Sequence, residues 1–147
     1  MGYKDVVEEY CDGVLDGSIV ACEMVHAAVR RYRSDWERSQ TPEFPYYFDT
    51  SAAEKGCEFY PALLRHSVGP MAGQAFKLAP WQCFEEWNID GWKREDGIRR
   101  FRKWISLVGR KNGKSTRAAG RCIKGAMADQ EAGAQTFIGA TKLDQAK

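Results

Sequence analysis

Trp104-Ile105-Ser106-Leu107-Val108-Gly109-Arg110-Lys111-Asn112-Gly113-Lys114-Ser115-Thr116 is the stretch on which the fold turns. Residues 101–108 are rich in strand-favouring side chains and stop at a glycine, so they predict a strand. From Lys114 to about Ala128 the pattern is helical, with Ala118, Cys122, Ile123, Ala126 and Met127 expected on its apolar side. Gly133 ends that helix, residues 136–140 (Thr-Phe-Ile-Gly-Ala) predict a second short strand, and 143–147 begin a further helix. Strand, glycine turn, helix and strand make a βαβ unit, the opening of a parallel sheet, and the expected class is α/β.

The turn between strand and helix carries chemistry. Glycines let a backbone wrap close to an anion with its N–H groups pointing inward. A helix starting at that point adds the partial positive charge of its amino end. A lysine then reaches the β- and γ-phosphates of a nucleotide, and a following Ser or Thr holds Mg²⁺. Gly113, Lys114 and Ser115 supply this second half of a P-loop, or Walker A, pattern, with Thr116 behind them. The first half departs from G-x-x-x-x-G-K-[ST], because the leading glycine would fall at Val108 and stands instead at Gly109. Gly109, Arg110, Lys111 and Asn112 still form a short, basic turn. The candidate phosphate-binding residues are therefore 109–116, and the expected fold is the beginning of a P-loop NTPase.

About thirty residues upstream lies Phe76-Lys77-Leu78-Ala79-Pro80-Trp81-Gln82. A glutamine carboxamide can donate to one edge position of adenine and accept from another, and a neighbouring aromatic can stack on the base. Gln82 and Trp81 are thus candidate adenine contacts. Pro80 suits the first turn of a helix, Trp81, Phe84 and Trp87 follow at three-residue steps, and Gly91 ends it.

Towards the N-terminus the pattern is helical and connective. Asp16-Gly17-Ser18 supplies a stop and a possible N-cap. Cys22, Val25, Val29, Tyr32 and Trp36 recur at spacings of three and four, which puts them on one helix face. Pro42 and Pro45 break that helix, a second one is expected over about 51–64 with Pro61 kinking or bounding it, and 69–73 is a connector. The expected division is a helical region over 1–73 followed by the ATPase beginning over 74–147.

Composition narrows the class. The chain has 147 residues, 44% hydrophobic and 29% charged, as in ordinary globular domains. No apolar run approaches the roughly 20 residues that span a bilayer, and no membrane partner is expected. Five scattered cysteines without a C-x-x-C pair predict reduced thiols packed as small hydrophobes, in a cytoplasm. The net charge of +2 hides an asymmetry: residues 93–124 hold twelve of the 22 basic residues and two of the 20 acidic ones, an excess of ten positive charges. Such a field favours nucleotide phosphates or a nucleic-acid backbone.

Taken together, the sequence resembles the large subunit of tailed-bacteriophage terminases, the DNA-packaging ATPase–nucleases. The resemblance runs through Tyr47-Phe48-Asp49, the 76–82 motif, Gly97-Ile98-Arg99-Arg100-Phe101-Arg102, the Arg110-Lys111-Asn112-Gly113-Lys114-Ser115 loop and Gly139-Ala140-Thr141-Lys142-Leu143-Asp144-Gln145-Ala146. The displaced glycine fits that family's deviant loop. The resemblance implies that Gln82 contacts adenine, Lys114 the β- and γ-phosphates, Ser115 the Mg²⁺, and that Arg110 senses the γ-phosphate. It implies ATP and Mg²⁺ as cofactors. The implied partners are double-stranded DNA, a portal protein and a small terminase subunit, in a homo-oligomeric motor in the cytoplasm of a bacterial host.

Hydrolysis also needs a later carboxylate for the metal and an acid to activate water, and no apolar run ending in Asp or Glu follows Ser115. The expectation is therefore an N-terminal, truncated part of the subunit. It would bind ATP, lack the nuclease domain and not turn over ATP alone. Two other readings stay open: a helicase-like ATPase, and a non-catalytic nucleic-acid-binding or assembly module that uses the basic 93–124 segment.

Overall fold

The computed structural model describes residues 2–67, 69–129, 135 and 137. In chain order its elements are α1 (Tyr3–Asp16), α2 (Glu23–Arg38), β1 (Tyr46–Phe48), α3 (Thr50–Leu63), α4 (Pro80–Gly91), β2 (Trp92–Arg94) and α5 (Lys114–Met127). They fall into two compact units, Met1–Ile105 and Ser106–Lys147.

In the first unit the helix ends follow from local chemistry. The Asp5 carboxylate accepts from the N–H of Gly2 at 2.9 Å, and Gly17 closes α1 in the left-handed conformation at φ 84°. Cys22, not Ser18, is the N-cap of α2. Asp49 caps α3 through Oδ1, which accepts from the N–H of Ala52 at 2.9 Å. Pro61 stays inside the last turn of α3, and Arg65 Nη1 donates to the carbonyls of Pro61 and Leu64 at 2.8 and 2.9 Å, meeting acceptors that the helix end leaves open. Pro80 occupies the first turn of α4 as its fixed φ favours, and the helix ends at Gly91.

The core is aromatic. Tyr32 of the expected α2 stripe is buried with Val29, while Val25 and Trp36 are half-buried against the same cluster. Trp87 of α4 and Trp92 of β2 are both fully buried, and the Phe48 ring sits between them with centroids 5.4 and 5.0 Å away. Trp87 Nε1 donates to the Tyr32 hydroxyl at 3.2 Å, and that hydroxyl donates to Glu8 at 3.1 Å, so the buried polar atoms are tied across α4, α2 and α1. Glu8 also pairs with Arg33. Cys11, Cys57 and Cys83 are buried, Cys22 is exposed, Cys122 is half-buried, and all five are free thiols.

The sheet among the described residues is small and antiparallel. β1 pairs with β2 in the register Tyr46↔Arg94, Tyr47↔Lys93 and Phe48↔Trp92. A turn at Gly97 (φ 77°) brings the chain back along β2, with Arg94 N–H donating to Ile98 O and Arg100 N–H to Trp92 O, each at 2.9 Å. Arg100 ends beside α2: its Nη1 donates to Asp35 Oδ2 at 2.7 Å, and its guanidinium lies 4.3 Å from the Tyr46 ring centroid.

Residues 101–108 differ from expectation: they form no strand, and Ile105 and Leu107 are 85% and 93% exposed. A parallel strand exists through its ladder, and among the described residues none lies beside this segment to complete one. The expected partner over 136–140 and the helix after 143 lie outside the described residues, apart from exposed Phe137. α5 runs from Lys114 as predicted, but its apolar side is outward. Ile123 and Met127 are 43% and 79% exposed, while Arg117, Gly120 and Lys124 form the buried face. Among the described residues no sheet covers the apolar side, so nothing draws it inward.

Candidate phosphate-binding site

The site is built on the start of α5. Gly113 is the N-cap, in the left-handed conformation at φ 69°, ψ 9°. Lys111 is also left-handed, at φ 66°, the one non-glycine of positive φ among the described residues, and Asn112 between them has negative φ. Residues of positive φ so close to a helix start make a tight turn, the kind of backbone in which anion-binding concavities form.

The first helical hydrogen bond of α5 runs from Arg117 N–H to Gly113 O at 2.9 Å. The N–H groups of Lys114, Ser115 and Thr116 thus precede the ladder, and glycine offers no side chain to cap them. The first turn carries no acidic residue to compete for them, and residues 109–116 are all exposed. The helix dipole adds to the same field.

Two side chains close the turn. Lys114 Nζ donates to Val108 O at 3.3 Å and to Gly109 O at 3.5 Å, so its ammonium lies across the loop. Asn112 Nδ2 donates to Gly109 O and Arg110 O, both at 3.3 Å. Arg110, Lys111, Ser115 and Thr116 all lie on this exposed turn. The arrangement offers the open amides of the first turn of α5, an ammonium and two hydroxyls: donors for phosphate oxygens and, in Ser115, an oxygen ligand for Mg²⁺. A catalytic carboxylate is a different matter. Among the described residues after Ser115 the one carboxylate is Asp129, and Lys124 Nζ holds it at 2.5 Å.

Gln82 and Trp81 stand on the first turn of α4, in the first unit, whereas the loop belongs to the second. Gln82 is 5% exposed and its Oε1 accepts from the N–H of Ala79 at 2.9 Å. Its carboxamide oxygen therefore caps α4, the half of a capping box that an alanine N-cap permits. Trp81 is half-buried and packs against the aromatic core. The cap role of Gln82 was visible in the sequence as a Gln three residues after the N-cap position. The left-handed Lys111 had no such signal, since lysine has no preference for that conformation.

Residues 80–147, from the first residue of α4 through the loop and α5 to the last residue given, match the family described as the terminase large subunit, ATPase domain. No curated protein and no solved structure matches the chain. Among the described residues no helix is long and apolar enough to cross a membrane.

Proposed function

With residues 80–147 forming a terminase large-subunit ATPase region, we propose that the loop at 109–116 binds MgATP and that this binding powers the packaging of double-stranded DNA into a capsid. The amides around Asn112 and Gly113 hold the β- and γ-phosphates, the Lys114 ammonium neutralises them, and the Ser115 hydroxyl ligates Mg²⁺, with Thr116 beside it. Arg110 and Lys111 add positive charge at the mouth, Arg110 towards the γ-phosphate. Gln82 and Trp81 are the residues we assign to reading the adenine. In this reading α5 packs on a parallel α/β sheet, and the partners are DNA, a portal protein, a small terminase subunit and further copies of the subunit, inside a bacterial host.

The observation that carries the reading is a turn with positive φ at Lys111 and Gly113 opening directly into α5, inside the matched region. Titration calorimetry of the chain with MgATP, for wild type and Lys114→Ala, tests it. Loss of charge-assisted hydrogen bonds worth about 1.5–3 kcal/mol weakens binding by about 10- to 150-fold. Equal affinity in the two proteins removes Lys114 from the site. Retention of DNA on filters with a steep salt dependence, and no MgATP binding by wild type, would favour the non-catalytic nucleic-acid module.

A further inference from the structure

We propose that Asn112 is a positioning residue for the phosphate loop, its carboxamide bracing the turn from within, and that glycine stands at 109 to leave room for that brace. The inference rests on the nucleotide-binding reading of the loop.

The geometry is specific. The two Nδ2 hydrogens of Asn112 serve the carbonyls of Gly109 and Arg110, both at 3.3 Å, while Lys114 Nζ serves those of Val108 and Gly109. Three consecutive carbonyls, 108 to 110, are thereby held on the donor side. A peptide unit is planar and trans, so its N–H points opposite to its C=O. Holding those carbonyls fixes the directions of the N–H groups of Gly109, Arg110 and Lys111. The brace also spans Lys111, whose left-handed backbone lysine does not favour by itself. The N–H groups of Gly109, Arg110 and Lys111 point away from the Lys114 ammonium, so the brace acts by ordering the turn, and a loop ordered before a ligand arrives binds it more tightly because less ordering remains to be done.

The displaced glycine has its explanation here. Gly109 is not among the residues of positive φ, so conformational freedom is not what the position requires. A Cβ at 109 would instead lie 3.3 Å from Asn112 Nδ2, closer than ordinary contact. Alanine there requires the carboxamide to give by a few tenths of an ångström, which lengthens hydrogen bonds already at 3.3 Å. Position 108, where the general pattern has its glycine, holds Val108, whose carbonyl is taken by Lys114.

A double-mutant cycle in the full chain tests this, with Asn112→Ala, Gly109→Ala and the pair. Two readouts are needed: MgATP affinity by calorimetry, and ¹⁵N heteronuclear NOEs of residues 109–113 without nucleotide. Asn112→Ala is expected to weaken MgATP roughly tenfold, as loss of two neutral hydrogen bonds implies, and to lower the NOEs across the turn. Gly109→Ala is expected to do the same to a smaller extent, and to have no further effect once Asn112 is alanine. A fold role for Asn112 alone would move the melting temperature and leave the NOEs of the turn untouched. Additive effects of the two substitutions, or unchanged NOEs in Asn112→Ala, overturn the brace. If wild type binds no MgATP, the nucleotide reading fails, and the NOE cycle still decides whether Asn112 braces the turn.

Discussion

Replacing Arg100 with alanine should cost the first unit more than any surface arginine would. The Asp35 side chain is 4% exposed and that of Arg100 16%, with Nη1 and Oδ2 2.7 Å apart. Removing one member of such a pair strands a charge out of water, at about 3–5 kcal/mol. Arg38 offers limited compensation: its Nη1 is 3.6 Å from Asp35 Oδ1 and its side chain is 62% exposed. The guanidinium also lies over Tyr46, Phe101, Phe44 and Trp92, at 4.3, 5.0, 5.4 and 5.5 Å from their centroids, so ring contacts are lost too. A domain has about 5–15 kcal/mol in total, so Arg100→Ala should remove a large share of the unit's stability. Arg100→Lys keeps the charge but loses the planar stack and should lie between. The double replacement Asp35→Leu with Arg100→Met removes both charges together and should recover most of the loss. Urea unfolding followed by tryptophan fluorescence and by far-ultraviolet circular dichroism measures this, provided the m-values agree. A loss below about 1 kcal/mol in Arg100→Ala, the range of ordinary surface pairs, refutes the reasoning. So does a double variant no more stable than the single one.

Gly91→Ala should destabilise by about 1–3 kcal/mol or more, because its Cβ would enter the contact shell of the Phe48 ring, which Trp87 and Trp92 hold in place. An unchanged melting temperature would mean the ring can move aside. Burial pushes the Cys11 thiol from 9.0 up to about 12, the neighbouring Glu8 and Asp12 adding to the rise against Arg33. The folded protein therefore holds that proton more tightly than the unfolded chain. Its contribution to stability is complete below pH 9 and is lost as pH rises towards 12. Burial raises Tyr10 and Tyr32 in the same sense, so melting temperature should fall over that interval, less steeply in Cys11→Ala. Equal slopes would exclude the thiol. Gln82→Ala removes the acceptor for Ala79 N–H and should cost about 1 kcal/mol in urea unfolding. If Gln82 also reads adenine, the same substitution should erase preference for ATP over GTP in competition binding, and an unchanged ratio would leave it a cap alone.

Much of the helical content was legible because its signals are local. Pro80 and Gly91 bracket α4, the three-and-four spacing of Val25, Val29, Tyr32 and Trp36 sets the inward face of α2, and Gly113-Lys114 marks the start of α5. Each rests on φ preference, capping or periodicity, and each acts within one or two turns of chain. The candidate phosphate loop was legible in the same way, from glycine, lysine and serine at fixed offsets before a helix.

What the chain could not announce depends on partners far along it. The ladder of β1 with β2 joins Phe48 to Trp92, and the Arg100–Asp35 pair joins the returning chain to α2. Neither has a local sign. Residues 101–108 have the composition of a strand, yet composition only favours a pleated backbone, and hydrogen bonds from a neighbour make one. The outward apolar side of α5 follows the same logic, since amphipathicity names a face and tertiary packing chooses what covers it. Short-range sterics and capping were written in the amino-acid order. Pairing, and the burial of charge beside its counter-charge, were decided when distant segments met, because their energies exist between residues and in neither one alone.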